Sequence, residues 1–420
     1  MTGRPPAGWA DHCVWWQVYP LGFSGAPASL DGAAAPPGRG LAGLIDWLDY
    51  AVRLGASGLA LGPIFTASTH GYDTLDHDSV DPRLGGRADF DALVEACRRR
   101  GLRLMLDGVF NHVGADHPWL RQALAEGPAG PRADWFKIDW SDPVQPHPWL
   151  FEGHPGLVEL NHANPAVAAE VQRVMTTWLE RGADAWRLDA AYRVPPAFWS
   201  QVLPPVRRLH PEAWFVGEVI HGDYAGYVAE SGLDAVTQYE LWKAAWSALA
   251  SANFFELDWT LGRHNTWLDS FTPLTFLGNH DVTRLATAVG PDKLVLALAV
   301  LLTVGGVPAI YYGDEQGFSG RKYDRPGGDD EIRPVFPARP EELSTLGQWV
   351  YRAHQDLIGL RRRHAWLVGA RTQTVELSNL HYRYLSQADG SRIEVALDLE
   401  PDPRVEIRSA SGSRLYAWPD

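Results

Sequence analysis

The sequence is poor in the residues and segments that mark disulfide-rich, membrane-spanning or secreted proteins. It has only two cysteines, Cys13 and Cys97, too few for a disulfide framework or a zinc site built on cysteine. Both lie in segments that we interpret as buried elements. The longest apolar run, Leu294 to Val304, is far shorter than the roughly 20 residues that cross a bilayer. Because no apolar signal region follows the N-terminus, we expect a cytoplasmic protein that binds no membrane.

Positive charge is also in deficit. Lys and Arg number 37 against 51 Asp and Glu, which gives a formal net charge of -14. Such a chain repels a phosphate backbone, so we expect no nucleic-acid partner. Hydrophobic residues at 45% and charged residues at 21% are ordinary globular values, and they exclude a disordered or collagen-like chain.

Tryptophan is the residue type that stands out, with 19 copies beside 14 Tyr and 14 Phe. Aromatic rings are flat apolar plates with polar edges, which suits them both to protein cores and to the C–H faces of sugars. The composition alone therefore does not choose between these uses.

Short apolar runs alternate with amphipathic segments along most of the chain. Such alternation predicts parallel strands joined by right-handed helical crossovers, and eight units favour an α/β fold of the closed (β/α)8 TIM barrel type. An open doubly wound sheet is the alternative, weakened because no glycine-rich phosphate loop follows a strand. Helical stripes include one over 41–52. The predicted strands lie at 14–19, 57–61, 102–106, 183–188, 213–219, 235–239 (the weakest), 274–277 and 307–312.

Two segments interrupt this repeat. Residues 113–165 are rich in Trp, Pro and His and too long for an ordinary connection, so they predict a small subdomain inserted after strand 3. Over 365–420, alternating apolar and polar residues with Asp389-Gly390 at a hairpin turn predict a small C-terminal antiparallel β domain. The barrel would comprise 1–112 and 166–364.

Polar residues collect where predicted strands end, which is where barrels carry their chemistry. Strand 3 ends in Asp107, strand 4 in Arg187 and Asp189, strand 5 in Glu218 and strand 7 in Asp281. Asp107 alone is better explained as a helix cap or a buried ion pair. Three further carboxylates on one rim would repel each other unless function required them.

This set of groups suits one chemistry in particular. Arg187 precedes Asp189 by two residues, shares its strand face and can hold that aspartate ionised. Two carboxyl groups of unequal pKa are what retaining glycoside hydrolysis needs, one as nucleophile and one as acid and base.

Four segments, in order, resemble the signature regions of the α-amylase family, glycoside hydrolase family 13. They are DGVFNH (107–112), GADAWRLDAA (182–191), WFVGEV (214–219) and FLGNHD (276–281). HGYDT (70–74) and PAIYYGDE (308–315) resemble two further family segments. The resemblance runs from strand 1 to strand 8, over about three quarters of the chain, and its order and spacing make it specific.

The resemblance implies roles for the strand-end carboxylates. Asp189 would be the nucleophile and Glu218 the general acid and base, while Asp281 would bind ring hydroxyls and favour the distorted, oxocarbenium-like state. Arg187 would orient Asp189.

The resemblance also implies a sugar subsite around these groups. His112 and His280 would hydrogen-bond the sugar at the cleaved position, and Tyr72 would stack on its ring with Asp73 beside it. Asp329 and Arg333 resemble a family pair that closes the same subsite. For that pair, an ordinary surface ion pair is the competing interpretation.

The sequence departs from the family where many α-amylases hold calcium. They carry a Lys-His pair shortly after the nucleophile, and the His carbonyl binds the ion, whereas this chain has AAYR at 190–193. Asn111, a usual oxygen ligand, is present, but the rest of the site cannot be matched. We therefore expect no cofactor and no obligatory metal, with a structural calcium left open. LVELN (157–161) only partly resembles the segment that varies with linkage preference.

The leading hypothesis is a retaining hydrolase of α-glucosidic bonds, mainly α-1,4, in α-glucans or malto-oligosaccharides. A transglycosylase or α-glucosidase using the same intermediate is the alternative. A metal-dependent barrel hydrolase is less favoured because His12 precedes strand 1 and forms no HxH pair there. An inactive carbohydrate-binding relative is disfavoured by the intact acids. Linkage preference, endo or exo action and oligomeric state stay open.

Overall fold

The structure is a computed structural model that describes residues 8–30, 38–142, 144–325 and 327–419. Parts of the N-terminal segment and of the predicted barrel, at 1–7 and 31–37, lie outside the described residues, as does residue 420.

Eight parallel strands form the central sheet, in the spatial order 6-5-4-3-2-1-8-7. A parallel bridge between Thr237 and Leu274 joins strand 6 to strand 7 and closes the sheet. The predicted barrel is confirmed, and the open doubly wound alternative is wrong because the two end strands meet. The strands are β1 (Trp15–Val18), β2 (Gly58–Leu61), β3 (Arg103–Gly108), β4 (Ala185–Leu188), β5 (Trp214–Gly217), β6 (Ala235–Val236), β7 (Leu274–Phe276) and β8 (Val307–Tyr311).

Aromatic residues of the strands fill the space inside and around the barrel. Trp15, Trp186 and Trp214 are all buried, and the Trp15 and Trp214 rings stack with centroids 6.0 Å apart. Strands that are covered on both faces carry nearly continuous apolar runs. These runs are the feature by which the strands could be located in the sequence. Much of the tryptophan excess is therefore core.

Helices surround the barrel, and no helix of the described residues is long and apolar enough to cross a membrane. The α-helices are α1 (Pro20–Ser24), α2 (Gly40–Ile45), α3 (Leu48–Leu54), α4 (Arg87–Arg99), α5 (Pro118–Glu126), α6 (Pro165–Glu180), α7 (Pro196–Leu209), α8 (Tyr224–Ser231), α9 (Tyr239–Ala250), α10 (Phe255–Trp267), α11 (Leu285–Val289), α12 (Leu294–Thr303) and α13 (Gln348–Arg363). Short 3-10 turns include Ala10–His12, Phe151–Gly153, Ala191–Arg193, Asp314–Gln316 and Ala365–Gly369.

The stripe predicted as one helix over 41–52 is two helices, α2 and α3. The chain bends at Asp46 and Trp47, and this bend buries the Trp47 ring completely while leaving Val52 41% exposed. The helical periodicity continues through the bend, so the bend could not be predicted from the pattern of apolar residues.

The segment that we assign to the inserted subdomain contains α5 and three short strands. Ile138–Asp139 pairs with His147–Pro148, and Leu157–Glu159 pairs antiparallel with His112–Gly114. The second pairing anchors the end of the segment beside His112, at the carboxyl end of β3.

A five-stranded antiparallel sheet follows α13, as predicted. Asp389 and Gly390 form the tight turn between its second and third strands, with φ of 51° and 75°, the left-handed values that a type I′ hairpin requires. The sheet packs against α12, the longest apolar run, every residue of which is buried. In spatial order the strands are β9 (Arg371–Leu377), β10 (His381–Ala388), β11 (Ser391–Asp398), β12 (Arg404–Ser409) and β13 (Arg414–Trp418).

Candidate active site

Three carboxylates from neighbouring strands meet one buried guanidinium. One terminal nitrogen of Arg187 lies 2.8 Å from both carboxylate oxygens of Asp107 and 3.0 Å from Asp189, and the other lies 2.5 Å from Glu218. The register explains this meeting, because Arg187 on β4 is paired with Asp107 on β3 and with Val216, two residues before Glu218. All four side chains are at least nine-tenths shielded from solvent.

Asp107 is a buried ion-pair partner and not a helix cap. Besides Arg187 it binds the Tyr72 hydroxyl, which donates a hydrogen bond of 3.0 Å to it. Of the two explanations considered for this residue in isolation, the buried pair is confirmed. Asp107 thus holds Arg187 from the side opposite Glu218.

Glu218 is fixed through both carboxylate oxygens. The Ala190 backbone N–H donates to Oε2 at 3.0 Å, and the Tyr239 hydroxyl donates to Oε1 at 2.9 Å. The Asn279 amide in turn donates to the Tyr239 oxygen at 2.9 Å. Ala190 adopts φ of 46°, a left-handed value that costs a non-glycine residue about 1 kcal/mol or more. This strained turn directly follows Asp189 and aims its N–H at Glu218.

Asp281 lies within a second group of charged residues. Its carboxylate is 2.9 Å from Nε2 of His280 and 3.0 Å from Arg333, and Arg333 also pairs with Asp329 at 2.8 Å. Arg333 further donates to the His280 backbone oxygen at 2.9 Å. The predicted Asp329 and Arg333 pair is therefore joined to the candidate site and is not a separate surface ion pair.

Aromatic rings connect the two groups. Tyr72 and His280 stack with ring centroids 5.1 Å apart, and the Tyr72 hydroxyl contacts the His280 ring. The Tyr19 ring lies parallel to the other side of His280 at 6.0 Å and carries the Arg333 guanidinium over its face at 4.7 Å. Tyr72 is 8% exposed, so its ring borders the site with little free surface.

His112 and Asp73 each present a buried polar atom with no hydrogen-bond partner among the described residues. These atoms are Nε2 of His112 and Oδ1 of Asp73, whereas Asp73 Oδ2 accepts from Thr69 at 2.7 Å. The His112 ring stacks on Phe151 of the inserted segment at 4.5 Å. Buried polar atoms are normally satisfied, so these two point to a polar ligand.

Burial and neighbouring positive charge shift the pKa of the carboxyl groups of the site in opposite directions. Burial raises the pKa of Asp189 well above its usual range, Arg187 opposes this effect, and Glu218 and Asp107 add to it. The three acids thus compete for one cation, and Arg187 is the group that favours the ionised form of Asp189.

Over the neutral range Asp281 is ionised and His112 is uncharged. Burial alone would raise the pKa of Asp281, but His280, Arg333 and Lys322 outweigh it and hold that pKa well below the usual range. Burial lowers the pKa of His112 to about 3, with His70 adding to the effect. The site thus offers a permanent carboxylate at Asp281 and a neutral imidazole at His112.

Two residues of the site, Tyr19 and Tyr239, were missed by sequence reasoning. Tyr239 donates to Glu218, and Tyr19 lies between His280 and Arg333. Both end predicted strand runs, so the strand-end rule that selected the carboxylates could have selected them. Their aromatic rings made them look like core residues instead.

Asn111 is the residue that resembles a calcium ligand of the family. Its Oδ1 is buried without a hydrogen-bond partner among the described residues, and its amide nitrogen lies 3.1 Å from the His112 ring. No three His, Cys, Asp or Glu side chains converge as a metal site within the described part of the chain. Because calcium also binds amide and backbone oxygens, the expectation of no obligatory metal stays a prediction.

Comparison with known proteins establishes the family. A sequence model of the alpha amylase catalytic domain matches residues 17–338, which contain every residue of the site described above. The chain belongs to the α-amylase family. A cyclomaltodextrinase of Geobacillus thermopakistaniensis is 33% identical over 381 residues, which is 85% of this chain and 63% of that protein. Neopullulanase 2 of Thermoactinomyces vulgaris is 32% identical over 444 residues, which is 98% of this chain and 73% of that protein.

Solved structures of α-amylase family members share the fold. A debranching enzyme of Nostoc punctiforme superposes with a TM-score of 0.80 at 28% identity, covering 97% of this chain and 93% of that one. The chain spans less than two thirds of the first cyclomaltodextrinase and 56% of an intracellular maltogenic amylase of Bacillus subtilis, to which it is 32% identical.

Proposed function

We propose that the protein is a retaining glycoside hydrolase that cleaves α-glucosidic bonds, mainly α-1,4, in malto-oligosaccharides or α-glucans. The observation that carries this proposal is the placement of Asp189 and Glu218 on one buried guanidinium. Retaining enzymes need two carboxyl groups about 5–5.5 Å apart, one to attack and one to exchange a proton. The contacts of both carboxylates with the two terminal nitrogens of Arg187 support this assignment of roles.

In the first step Asp189 attacks the anomeric carbon while the bond from that carbon to the leaving oxygen breaks. Glu218 transfers its proton to the leaving oxygen, which departs as an alcohol. In the second step Glu218 takes a proton from water as the water oxygen attacks the anomeric carbon and releases Asp189. Glu218 is then protonated again, ready for the next cycle.

The remaining residues bind the sugar at the cleaved position. Asp281, ionised throughout the neutral range, accepts bonds from ring hydroxyls and stabilises positive charge developing on the ring. His112 and Asp73 offer their unpartnered atoms to hydroxyl groups, His280 adds a further polar contact, and Tyr72 borders the ring.

The names of similar proteins support this substrate class. Cyclomaltodextrinase, neopullulanase and maltogenic alpha-amylase are among the relatives at 30% identity or more. The intracellular maltogenic amylase of Bacillus subtilis supports a cytoplasmic location. The acidic charge supports a neutral partner over nucleic acid or an anionic membrane.

A substrate panel with product analysis tests the proposal. The purified chain is incubated with maltotriose, cyclodextrin, pullulan, isomaltose and starch, and the first anomer formed is followed by proton NMR. Hydrolysis of α-1,4 substrates with the α-anomer appearing first is expected. Sugar products longer than the substrate would indicate transglycosylation instead, and no turnover of any substrate would contradict the proposal.

The proposed chemistry needs no metal, since acid, base and nucleophile are all carboxyl groups. Activity is therefore expected to survive dialysis against EDTA, and added calcium is expected to leave kcat unchanged. Complete loss of activity on chelation, restored by a divalent metal, would favour the metal-dependent hydrolase in its place.

A further inference from the structure

The last strand of the C-terminal sheet, β13, carries aromatic side chains that are incompletely covered by the rest of the molecule. The register places Tyr416 opposite Ile407 and Trp418 opposite Val405, so all four side chains point to the same face. Ile407 and Val405 are 0% and 2% exposed, whereas Tyr416 and Trp418 are only half-buried. An aromatic row of the inner face is thus left partly uncovered.

Helix α13 forms the opposite wall, and a groove of about 740 Å³ lies between the two. We call it the α13–β13 groove. One stripe of the helix lines it, at spacings of three and four residues that mark a single helical face. The members of this stripe are Gln348, Arg352, Asp356, Gly359 and Arg363.

Two tryptophans join the walls at one end of the groove. The rings of Trp349 on α13 and Trp418 on β13 lie 6.0 Å apart between centroids and only 18° from parallel. Trp349 is 39% exposed, unlike the tryptophans of the barrel strands, which are buried. With Tyr416 they give the groove an aromatic surface surrounded by amide, carboxylate and guanidinium groups.

We propose that the α13–β13 groove is an auxiliary binding site for an α-glucan chain, separate from the site of cleavage; this inference rests on the proposed function. Hexoses combine apolar C–H faces, which pack on aromatic rings, with hydroxyl edges that need hydrogen-bond partners. The groove supplies both, and its volume lies in the range of small-molecule sites. Gly359 contributes no side chain to its helical wall, which leaves room for a ring.

The groove shares no residue with the catalytic arrangement. Its walls follow β8 in the chain and belong to the outer helix and to the C-terminal sheet. A polymer held there stays near the enzyme between cleavage events, which raises its effective concentration at the catalytic site. A short oligosaccharide gains nothing from such tethering.

The test measures binding without catalysis. All variants carry Asp189→Asn, so that the polymer is not consumed, and their migration is compared in native gels with and without amylopectin. Adding Trp349→Ala and Trp418→Ala is expected to weaken retardation about tenfold, as apparent Kd. Trp259→Ala is the matched control, because Trp259 is 63% exposed on α10, outside the groove. The Trp259→Ala variant is expected to migrate like the protein that carries Asp189→Asn alone.

A second variant tests the groove independently, in case the tryptophan variant does not fold. Gly359→Gln fills the groove while improving helix propensity, and its Cβ would meet only the flexible end of Arg363, at 3.3 Å. It is expected to weaken retardation to a similar extent with Tm unchanged or raised. Undiminished retardation of both groove variants would overturn the proposal, as would an oligomer that either variant dissociates into monomers.

Failure of this inference and failure of the proposed function are distinguishable. With Asp189 intact, the tryptophan variants are expected to keep kcat/KM on maltotriose while KM for amylopectin rises about threefold. Amylopectin binding by a chain that hydrolyses nothing would contradict the proposed function alone. Hydrolysis with unchanged polymer binding in the groove variants would contradict the auxiliary site alone.

Discussion

At the scale of single residues, the site depends on one cation shared among three acids. Arg187 contacts Asp107, Asp189 and Glu218 at once, so removal of any of these groups changes the charge balance of the others. The conservative amide variants keep the shape of each side chain and remove only its charge. These variants therefore separate effects on catalysis from effects on the stability of the fold.

Asp189→Asn is expected to lower kcat by several orders of magnitude, because an amide cannot form the glycosyl-enzyme. Turnover of nitrophenyl maltoside and thermal unfolding measure activity and stability side by side. Asp49→Asn is the control, since Asp49 is an exposed partner of Arg100 far from the site. Near-parental activity of Asp189→Asn would remove the nucleophile assignment.

Glu218→Gln is expected to discriminate between leaving groups. Maltotriose needs a proton on its leaving oxygen, so its glycosylation step should slow by several orders of magnitude, whereas a dinitrophenyl glycoside, with an acidic leaving group, should slow far less in that step. Pre-steady-state kinetics on both substrates measure the difference. Equal losses on the two substrates would argue against Glu218 as the acid.

Tyr239→Phe tests a positioning residue that the sequence did not reveal. The variant removes the hydroxyl that donates to Glu218 and leaves the Asn279 amide without its acceptor. We expect kcat to fall about tenfold with KM within about twofold, a loss of about 1.4 kcal/mol. Tyr351→Phe, whose hydroxyl binds the remote Tyr50 carbonyl, is the control. An equal change in kcat for both variants would remove the positioning role.

At the scale of elements, the short turn Phe151–Gly153 brings the inserted segment into contact with the site. Phe151 of this turn stacks on His112, and Glu152 accepts a hydrogen bond of 2.7 Å from Tyr192, three residues beyond Asp189. Glu152 adopts φ of 49°, a left-handed value that is uncommon for glutamate. The turn therefore connects the loops that follow β3 and β4 close to Asp189.

Phe151→Ala is expected to raise KM for nitrophenyl maltoside about fivefold with little change in Tm. Loss of the ring frees the His112 imidazole from its stacking partner, and a mobile ligand binds sugar less tightly. Phe255→Ala, at an aromatic residue 50% exposed on α10, serves as the control. An unchanged KM would show that the turn does not position His112.

Strands could be predicted more completely than helices or contacts. The barrel strands carry apolar runs because both faces are covered, and polar residues at their ends marked Asp189, Glu218 and Asp281 without coordinates. The bend at Trp47 lies within an unbroken helical period of apolar residues, so this pattern did not predict it. The shared contact of Asp107, Asp189 and Glu218 with one arginine depends on strand register, which the local pattern does not contain.

At the scale of the whole molecule, two buried acids after β8 make stability depend on pH. Burial raises the pKa of Glu315 to about 7 and that of Asp314 to about 6, against the opposing effect of Arg284 on Asp314. Glu315 is fully buried, which favours its neutral form, and this effect outweighs the opposing hydrogen bond that it accepts from the Tyr50 hydroxyl at 2.9 Å. The folded protein therefore binds protons that the unfolded chain has released.

The sign of the effect follows from this proton linkage. When the pKa of a group is higher in the folded protein than in the unfolded chain, the group adds to the free energy of unfolding. This contribution is complete below the unfolded-state pKa and is lost as the pH rises through the folded-state pKa. The contribution of Glu315 to stability is therefore expected to fall between pH 5 and pH 8, by up to about 3 kcal/mol. Buried histidines such as His112, whose folded pKa is lowered, contribute with the opposite sign, so the measurement is the difference in Tm between the protein and Glu315→Gln, a neutral residue of the same shape. This difference is expected to change with pH in favour of Glu315→Gln as the pH rises, whereas the exposed Glu341→Gln should show no such change. A difference that is constant from pH 5 to pH 8 would contradict the buried neutral acid.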